Sequence, residues 1–211
     1  MRLVRAAADG VAENLALDEA LLAEGVETLR FWECTDPVVV LGRSGRLPDQ
    51  VHVDACEADR VPVVRRSSGG GAVVLAAGCL NYSLVFRLDQ RPEWRDVRLS
   101  VRHILGVLAR ELAADFREPS DLAVQDRKIS GCAQRRTAHT LLHHGTLLYA
   151  FDSRLAERYL REPERQPSYR RGRSHTAFLG NLPLEAGLIR DRVAAAWLEP
   201  EAAVRPGVHV S

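Results

Sequence analysis

The spacing of hydrophobic and polar residues changes along the chain, and two spacings predict two kinds of element. Apolar residues three or four positions apart predict amphipathic helices over 12–24, where Gly25 is the expected stop, and over 94–114. A strict alternation over 80–86 predicts a β-strand, because successive side chains of a strand point to opposite faces. One face would carry Leu80, Tyr82, Leu84 and Phe86, and the other Asn81, Ser83 and Val85.

Shorter runs complete the predicted framework. Apolar runs bounded by turn residues predict further strands over 28–33, 37–41, 61–64, 72–77 and 141–151. Helices are expected over 51–60, 153–162 and 184–198, and irregular chain is expected after Pro200. Residues 120–134 predict a hairpin with its turn near Gln125-Asp126. No repeat or linker divides the chain, so the pattern predicts one α+β domain over residues 1–211, with a mixed, largely antiparallel sheet flanked by helices.

Composition and charge narrow the classes of function. The chain has 211 residues, of which 46% are hydrophobic and 27% are charged, which is ordinary for a globular protein. A formal net charge of +1 gives no field that favours nucleic acid or an anionic membrane as a partner. No apolar run approaches the roughly 20 residues that span a bilayer, and the N-terminus lacks the apolar core of a secretory signal. We therefore expect neither a nucleic acid nor a membrane partner.

The cysteines indicate a reducing compartment. Cys34, Cys56, Cys79 and Cys132 are scattered and form no Cys-x-x-Cys pair. This pattern argues against a zinc site or a disulfide framework, and it fits the cytoplasm. We expect no metal ion held by the protein alone.

Lys128 is the only lysine, whereas 28 of the 29 basic residues are arginine. A GC-rich genome would explain the general arginine bias. The single exception is then expected where arginine cannot substitute, because an ammonium is a compact point charge and a guanidinium is a wide planar fork. Lys128 is therefore a candidate catalytic residue.

The stretch Arg65-Arg66-Ser67-Ser68-Gly69-Gly70-Gly71-Ala72 lies between two apolar runs. Glycine lets the backbone approach a ligand closely, and successive N–H groups in such a turn can bind an anion. The two arginines could supply planar donors to a carboxylate or phosphate. The stretch lacks the Gly-Lys-Ser/Thr of a Walker loop. It is either an acidic-ligand site or an ordinary glycine-rich loop with solvated arginines.

Four motifs in order carry a family resemblance over residues 13 to about 150. They read Arg-Arg-Ser-Ser-Gly-Gly-Gly-Ala-Val at 65–73, Gly-Cys-Leu-Asn-Tyr-Ser at 78–83, Asp-Arg-Lys-Ile-Ser-Gly-Cys-Ala-Gln at 126–134 and His-His-Gly-Thr-Leu-Leu at 143–148. The chain resembles the lipoate–protein ligase and octanoyltransferase superfamily (the biotin/lipoate A/B protein ligase family). This resemblance implies a sheet flanked by helices, like the catalytic core of class II aminoacyl-tRNA synthetases.

The resemblance also implies an activity and roles. ATP and Mg²⁺ would activate lipoate as lipoyl-adenylate, and the lipoyl group would pass to a lysine of a lipoyl carrier domain, an E2 subunit or an H-protein-like acceptor. Lys128 would contact the acyl carbonyl and the phosphate, where a fixed positive charge stabilises the oxygen as it gains charge. Substrate and adenylate contacts would come from Arg65, Arg66, Ser68, Gly69, Gly70, Gly71, Ala72, Asn81, Asp121, Gly131, His144 and Gly145. The acyl chain is expected against the strand faces around Val73, Tyr82 and Leu147.

Departures from the family's pattern leave alternatives open. The residues after about 150 are expected to complete the core and leave no room for the family's small C-terminal accessory domain, which would be missing, unnecessary, or supplied by a separate accessory subunit as a candidate partner. The family's octanoyltransferases use a cysteine downstream of the lysine, and no cysteine follows Cys132. An octanoyl or lipoyl transferase would need a thioester on Cys132 or Cys79, each otherwise expected as a small buried residue. A lipoate-binding subunit without catalysis and a biotin ligase are further alternatives.

An arginine-rich loop over 165–173 is the last candidate feature. Its arginines are expected either to be simply solvated or to form a docking surface for an acidic acceptor domain. In the second case Arg170 and Arg171 would contact the acceptor.

Overall fold

Ten β-strands and seven α-helices form residues 1–198, the part of the chain that the computed structural model describes. The strands are β1 (Arg2–Val4), β2 (Thr28–Trp32), β3 (Val38–Leu41), β4 (Val63–Arg65), β5 (Val73–Leu75), β6 (Cys79–Arg87), β7 (Asp115–Arg117), β8 (Asp121–Val124), β9 (Arg127–Arg136) and β10 (Thr140–Leu148). The helices are α1 (Val11–Glu24), α2 (Leu47–Gln50), α3 (Val53–Asp59), α4 (Val97–Leu112), α5 (Arg154–Tyr159), α6 (His175–Phe178) and α7 (Ala186–Leu198). The prediction for the chain after Pro200 lies outside the described residues.

The strands form two sheets. Seven strands are ordered β1-β2-β6-β10-β9-β8-β7, and only the β1–β2 pair among them is parallel. The smaller sheet is ordered β4-β3-β5, with β3 parallel to β4 and antiparallel to β5. The predicted α+β class with a mixed, largely antiparallel sheet is confirmed. No helix among residues 1–198 is long and apolar enough to cross a bilayer.

One face of the large sheet packs against α4 and α7. The predicted apolar face of β6 lies in this core, together with Ile104, Leu105 and Leu108 of α4. The stripe of α4 faces inward because these residues recur at helical spacing. Asp96 caps the helix, since its carboxylate accepts hydrogen bonds from the backbone N–H groups of Arg98 and Leu99.

The opposite face of the large sheet lies beneath α1 and is more polar. Its strand positions include Arg30, Asn81, Ser83 and His144, all of which are buried. The first helix ends at Gly25 as predicted, where φ is 72° and the backbone N–H donates to the carbonyl of Leu21. Arg30, Ser83 and His144 all have side-chain partners on this face, whereas the buried Nε1 of Trp32 has none among the described residues.

The β8–β9 hairpin positions the candidate catalytic lysine. Gln125 and Asp126 have φ of 50° and 63°, as a two-residue type I′ turn requires, so the predicted turn is confirmed. A register shift between Leu122 and Ala123 sets Asp121 opposite Gly131. Lys128 follows on β9, and β9 then continues to Arg136 along β10.

Candidate functional site

Lys128 lies against a buried carboxylate. Its ammonium Nζ is 2.8 Å from Oδ1 of Asp121, and its side chain is about a quarter exposed. The second carboxylate oxygen of Asp121 accepts a 2.8 Å hydrogen bond from the hydroxyl of Tyr169. Burial and the Asp121 carboxylate raise the pKa of Tyr169, so its hydroxyl stays protonated and donates. The lysine therefore has a fixed position while one side of its ammonium stays accessible.

Gly131 makes room for that ammonium. A Cβ built on Gly131 would lie 2.9 Å from Nζ and 3.0 Å from Cε of Lys128, and 3.7 Å from Asp121. The structure thus brings three predicted site residues together on one face of the sheet. Any side chain at position 131 would displace the lysine.

The glycine loop is held by Arg66 rather than left free. The buried guanidinium donates to the carbonyls of Gly69 at 2.6 Å and Gly71 at 2.9 Å, and its Nε donates to the hydroxyl of Ser68 at 3.0 Å. Burial lowers the pKa of Arg66 to about 10, so it remains charged at neutral pH. Ala72 closes the loop, because its N–H donates to the side chain of Gln50 at 2.7 Å.

Arg65 holds a second loop. Its guanidinium donates to the backbone carbonyls of Gly42, Arg43 and Gly45 at 2.9–3.1 Å. Gly42 itself approaches the glycine loop so closely that a Cβ there would lie 2.0 Å from the carbonyl oxygen of Gly70. In this structure both arginines therefore shape the two loops, and a direct contact of either with substrate stays a prediction.

A cavity of about 860 Å³ opens beside the glycine loop. Gly69 and Gly70 form part of its wall, and within residues 1–198 their backbone N–H groups donate to no protein acceptor. Ser120 and Cys132, next to Asp121 and Gly131 in sequence, line the other side.

The cavity is strongly basic. Arg43, Arg98 and Arg135 line it, and their side chains have no hydrogen-bond or ion-pair partner among the described residues. Arg102 also lines it and pairs with Glu118 at 2.7 Å. Free guanidinium donors and free loop N–H groups are the groups that bind phosphate oxygens.

His144 connects the glycine loop to the protein interior. Its Nε2 is 2.6 Å from the hydroxyl of Ser68, and its Nδ1 is 3.6 Å from Oδ2 of Asp18. Asp18 is buried and forms an ion pair with the buried Arg30 at 2.7 Å. Two predicted site residues, Ser68 and His144, thus meet each other, but both are buried.

Two predicted site residues have structural partners instead. The side-chain amide of Asn81 donates to the carbonyl of Trp32 at 3.3 Å within the sheet. Gly145 lets the strands pack closely, because a Cβ there would lie 2.6 Å from the carbonyl of Gly131 and 2.9 Å from the hydroxyl of Tyr82.

The expected acyl surface is wrong in two of its three residues. Tyr82 and Leu147 are fully buried in the core beneath α4, on the face of the sheet away from Lys128. The alternation of each strand was predicted correctly, but the sequence does not indicate which face meets the chemistry. Val73 lies in a separate cluster with Val11 and Leu15 of α1.

The two candidate thiols are not activated. Cys79 is completely buried, and burial raises its pKa to about 12. Cys132 lines the cavity, and burial and the Asp121 carboxylate raise its pKa to about 12 although Lys128 opposes this shift. Lys128 thus favours the thiolate of Cys132, but burial and the Asp121 carboxylate outweigh it.

The arginine-rich loop is largely a folded structural element. Arg170 is buried, pairs with Glu162 and lies with its guanidinium carbon 5.0 Å from the ring centroid of Phe178. Arg173 donates to backbone carbonyls of Asp126 and Tyr169. The prediction that Arg170 contacts an acceptor is therefore wrong, and Arg171 is exposed.

Sequence reasoning missed Tyr169, Asp18 and Arg30. A tyrosine inside an arginine-rich segment carries no spacing signal that places it on a carboxylate 48 positions away. Asp18 and Arg30 looked like ordinary polar positions of a helix and a strand. A charged residue on an otherwise apolar strand was the one available signal for Arg30.

Comparison with known proteins identifies the family of the chain. Residues 10–191 match the lipoyl protein ligase A/B catalytic domain. Lipoate-protein ligase A of Psychrobacter cryohalolentis is 33% identical over 153 residues, which are 70% of this chain and 43% of that protein. The chain spans about half the length of the curated relatives it matches.

Solved structures show the same fold. A bi-partite lipoate protein ligase from Thermoplasma acidophilum, described with its E2 lipoyl domain, has a TM-score of 0.79 at 23% identity over 92% of this chain and 81% of that one. A lipoate-protein ligase A bound with ATP has a TM-score of 0.77 at 20% identity over 93% of this chain and 81% of that one. From the family match over residues 10–191, this chain belongs to the lipoyl protein ligase A/B catalytic domain family.

Proposed function

We propose that this chain activates lipoate with ATP and attaches the lipoyl group to a lysine of a lipoyl carrier domain. The observations that carry the proposal are a fixed lysine, Lys128 paired with Asp121 at 2.8 Å, and a basic cavity lined by the glycine loop and by Ser120 and Cys132, the sequence neighbours of Asp121 and Gly131. The relatives named above are lipoate-protein ligases, which supports lipoate as the acid.

The first step needs a site for a triphosphate. The lipoate carboxylate attacks the α-phosphorus of ATP, the bond to the bridging oxygen breaks, and pyrophosphate leaves. Arg43, Arg98 and Arg135 would bind the leaving phosphates, since their donors are free in the described residues and face the cavity. The N–H groups of Gly69 and Gly70 would bind the phosphate that stays with the acyl group.

The second step needs a fixed charge at the acyl carbonyl. The acceptor amine attacks this carbon, its oxygen gains negative charge, and AMP leaves as the amide forms. Lys128 would stabilise both the carbonyl oxygen and the departing phosphate, because its ammonium is already oriented by Asp121 and Tyr169. Little reorganisation is then needed during the reaction.

Magnesium would enter with the triphosphate. Mg²⁺ in such sites takes one or two carboxylates and the substrate's own phosphates. Among the residues that line the cavity, Glu118 is the acidic one, and its partner is the exposed Arg102. Glu118 would then add a carboxylate oxygen to those of the phosphates, and residues 1–198 contain no group of three or more metal-binding side chains.

Partners follow from the same chemistry. The acceptor would be a lipoyl domain of the E2 or H-protein type, and a small accessory subunit would assist adenylate formation. The thioester alternative is disfavoured because burial raises the pKa of both Cys79 and Cys132 to about 12.

Intact-mass spectrometry of an apo lipoyl domain tests the proposal. One reaction holds lipoate, Mg²⁺ and ATP, and the other holds octanoyl carrier protein without ATP. We expect modification only in the first reaction. Modification only in the second would overturn the ligase proposal and favour a transferase. If the first reaction needs an added accessory subunit, the chain is the catalytic half of a two-part ligase.

A further inference from the structure

A continuous set of buried polar side chains runs from α1 to the glycine loop. Its first members are Arg30 and Asp18, whose side chains are 0% and 1% exposed and whose Nη1 and Oδ1 lie 2.7 Å apart. Arg30 also donates to the carbonyls of Ala6 and Asn14 and to the side chain of Asn14. The guanidinium is therefore fixed by the N-terminal segment and by α1 at once.

Asp18 links Arg30 to side chains of β6 and β10. Its Oδ2 accepts a 2.6 Å hydrogen bond from the hydroxyl of Ser83 and lies 3.6 Å from Nδ1 of His144. The pairing along the strands puts Arg30 opposite Ser83 and Ser83 opposite His144, so the three residues form a row across the sheet. The carboxylate of Asp18 covers that row from the helix above.

His144 lies between Ser68 and Asp18. Its Nε2 is 2.6 Å from the hydroxyl of Ser68, whose oxygen also accepts a 3.0 Å hydrogen bond from Nε of Arg66. Its Nδ1 faces Oδ2 of Asp18 at 3.6 Å, which is beyond hydrogen-bond distance but close enough for the negative charge to orient the ring. Asp18 thus helps to fix the ring that contacts Ser68.

Ser68 connects these buried polar side chains to the glycine loop. Its backbone carbonyl accepts a 2.9 Å hydrogen bond from the N–H of Arg43, which belongs to the neighbouring loop. Arg66 joins the same serine to the carbonyls of Gly69 and Gly71. Ser68 is therefore linked through its backbone to Arg43 and through Arg66 to Gly69 and Gly71, and Arg43 and Gly69 line the basic cavity.

A buried ion pair is a costly way to fill this space. Desolvating two charges costs several kcal/mol per ion, and apolar residues of similar volume are often equally stable or better. Apolar neighbours are at hand, because Leu21, Leu22, Val85 and Leu142 form a cluster on the same face. A role beyond packing explains the charges better than stability does.

We infer that Asp18 and Arg30 are positioning residues for the nucleotide-binding loop, acting through His144 and Ser68. The inference rests on the proposed function and deepens it, since the loop is the one proposed to bind the phosphate. Loss of Asp18 releases His144, lets Ser68 turn, and loosens the Gly69–Gly71 backbone while Lys128 stays in place.

Hydrogen exchange with mass spectrometry on Asp18→Asn measures loop order without any need for activity. We expect exchange of the Arg43 and Ala72 amides, which close the loops, to rise at least about tenfold, and the KM for ATP to rise by about the same factor with a smaller change in kcat. Thr28→Val is the matched control, because Thr28 is buried on the same strand as Arg30 but bonds only Arg2 and the carbonyl of Val26. It should leave both readouts at wild-type values.

A second variant separates positioning from stability. In Asp18→Leu/Arg30→Met both charges are gone, so the Tm should recover relative to Asp18→Asn. Exchange at Arg43 and Ala72 should stay fast, because the carboxylate that faces His144 is still absent. Exchange of the Arg43 and Ala72 amides at the wild-type rate in either variant would overturn the inference. If wild-type protein neither activates nor transfers lipoate, the proposed function fails while the exchange data still decide whether Asp18 orders the loop.

Discussion

His143 and His144 are neighbours on β10 that point to opposite faces of the sheet and have opposite surroundings. His143 lies in the core beneath α4, between the hydroxyl of Tyr82 at 3.1 Å and the side-chain amide of Gln134 at 3.0 Å. Burial lowers the pKa of His143 to about 3, so it is neutral. His144 faces α1 and contacts Ser68 and Asp18.

The two faces of the large sheet differ in what they contribute. The α4 face buries large apolar side chains and contributes stability. The α1 face carries the polar side chains, the glycine loop and Lys128, and it gives up apolar burial for fixed charges and donors. Substitutions in the apolar core beneath α4 should change the free energy of unfolding, whereas substitutions of Lys128, of the glycine loop or of the arginines that line the cavity should change the chemistry.

The largest expected effect is on the chemical face, at Lys128→Arg. The guanidinium keeps the charge next to Asp121 but does not fit the space over Gly131, so transfer from pre-formed lipoyl-adenylate should slow by about 100-fold or more. Single-turnover kinetics measure this rate. Arg127→Lys, one position away and bonded only to the carbonyls of Leu179 and Thr176, is the control. A near-wild-type rate in Lys128→Arg would remove the argument for the single lysine.

On the structural face, His143→Gln should change the pH dependence of stability. Free histidine has a pKa of 6.5, and the folded protein lowers it to about 3, so the unfolded chain binds more protons below pH 6.5. The contribution of His143 to the free energy of unfolding is therefore fully present above pH 6.5 and is lost as the pH falls towards 3. Between pH 7 and pH 5 this group should account for about 2 kcal/mol.

Urea unfolding at the two pH values measures that difference. Glutamine does not titrate, so the wild-type protein should lose about 2 kcal/mol more than the variant between pH 7 and pH 5. Equal losses would show that His143 is not kept neutral by the fold.

Alanine substitutions at Gly131 and at Gly145 should have smaller effects, and the two effects should differ in kind. An added methyl at Gly131→Ala meets the flexible end of Lys128, so the fold should persist while transfer slows by about tenfold. At Gly145→Ala the methyl meets the backbone carbonyl of Gly131 at 2.6 Å, so the Tm should fall as well. Thermal unfolding and transfer rates on both variants check this, and equal Tm values would contradict the assignment.

The smallest effect is expected at Cys132→Ser. The thiol has a pKa raised to about 12 by burial and carries no step of the proposed reaction, so transfer should stay within about twofold of wild type. Intact-mass spectra of the wild-type protein should show no acyl adduct. An adduct on wild type together with an inactive serine variant would restore the thioester alternative.

Local patterns predicted much of the fold. The strand alternation over 80–86, the helix that ends at Gly25 and the turn at Gln125-Asp126 were all predicted because each depends on neighbours in sequence. The short helix Leu47–Gln50 was missed, since four residues hold too little periodicity to detect.

The site was predicted less well, for a physical reason. Composition made Lys128 a candidate, but tertiary structure decides which acceptors a guanidinium finds. Arg65 and Arg66 were expected to contact an acidic ligand; in the structure they donate to loop carbonyls, which the sequence did not indicate. Arg30 shows the reverse, since a residue with no motif became the centre of a buried network.

The most direct test of the account is transfer from pre-formed lipoyl-adenylate to an apo lipoyl domain, followed by intact-mass spectrometry without ATP. This reaction needs Lys128 and its face of the sheet and bypasses any accessory subunit. An acceptor with its target lysine changed to arginine, and a tube without enzyme, control for uncatalysed acylation. The account predicts a single lipoyl addition that depends on the enzyme and on the target lysine. No addition above the controls would contradict it.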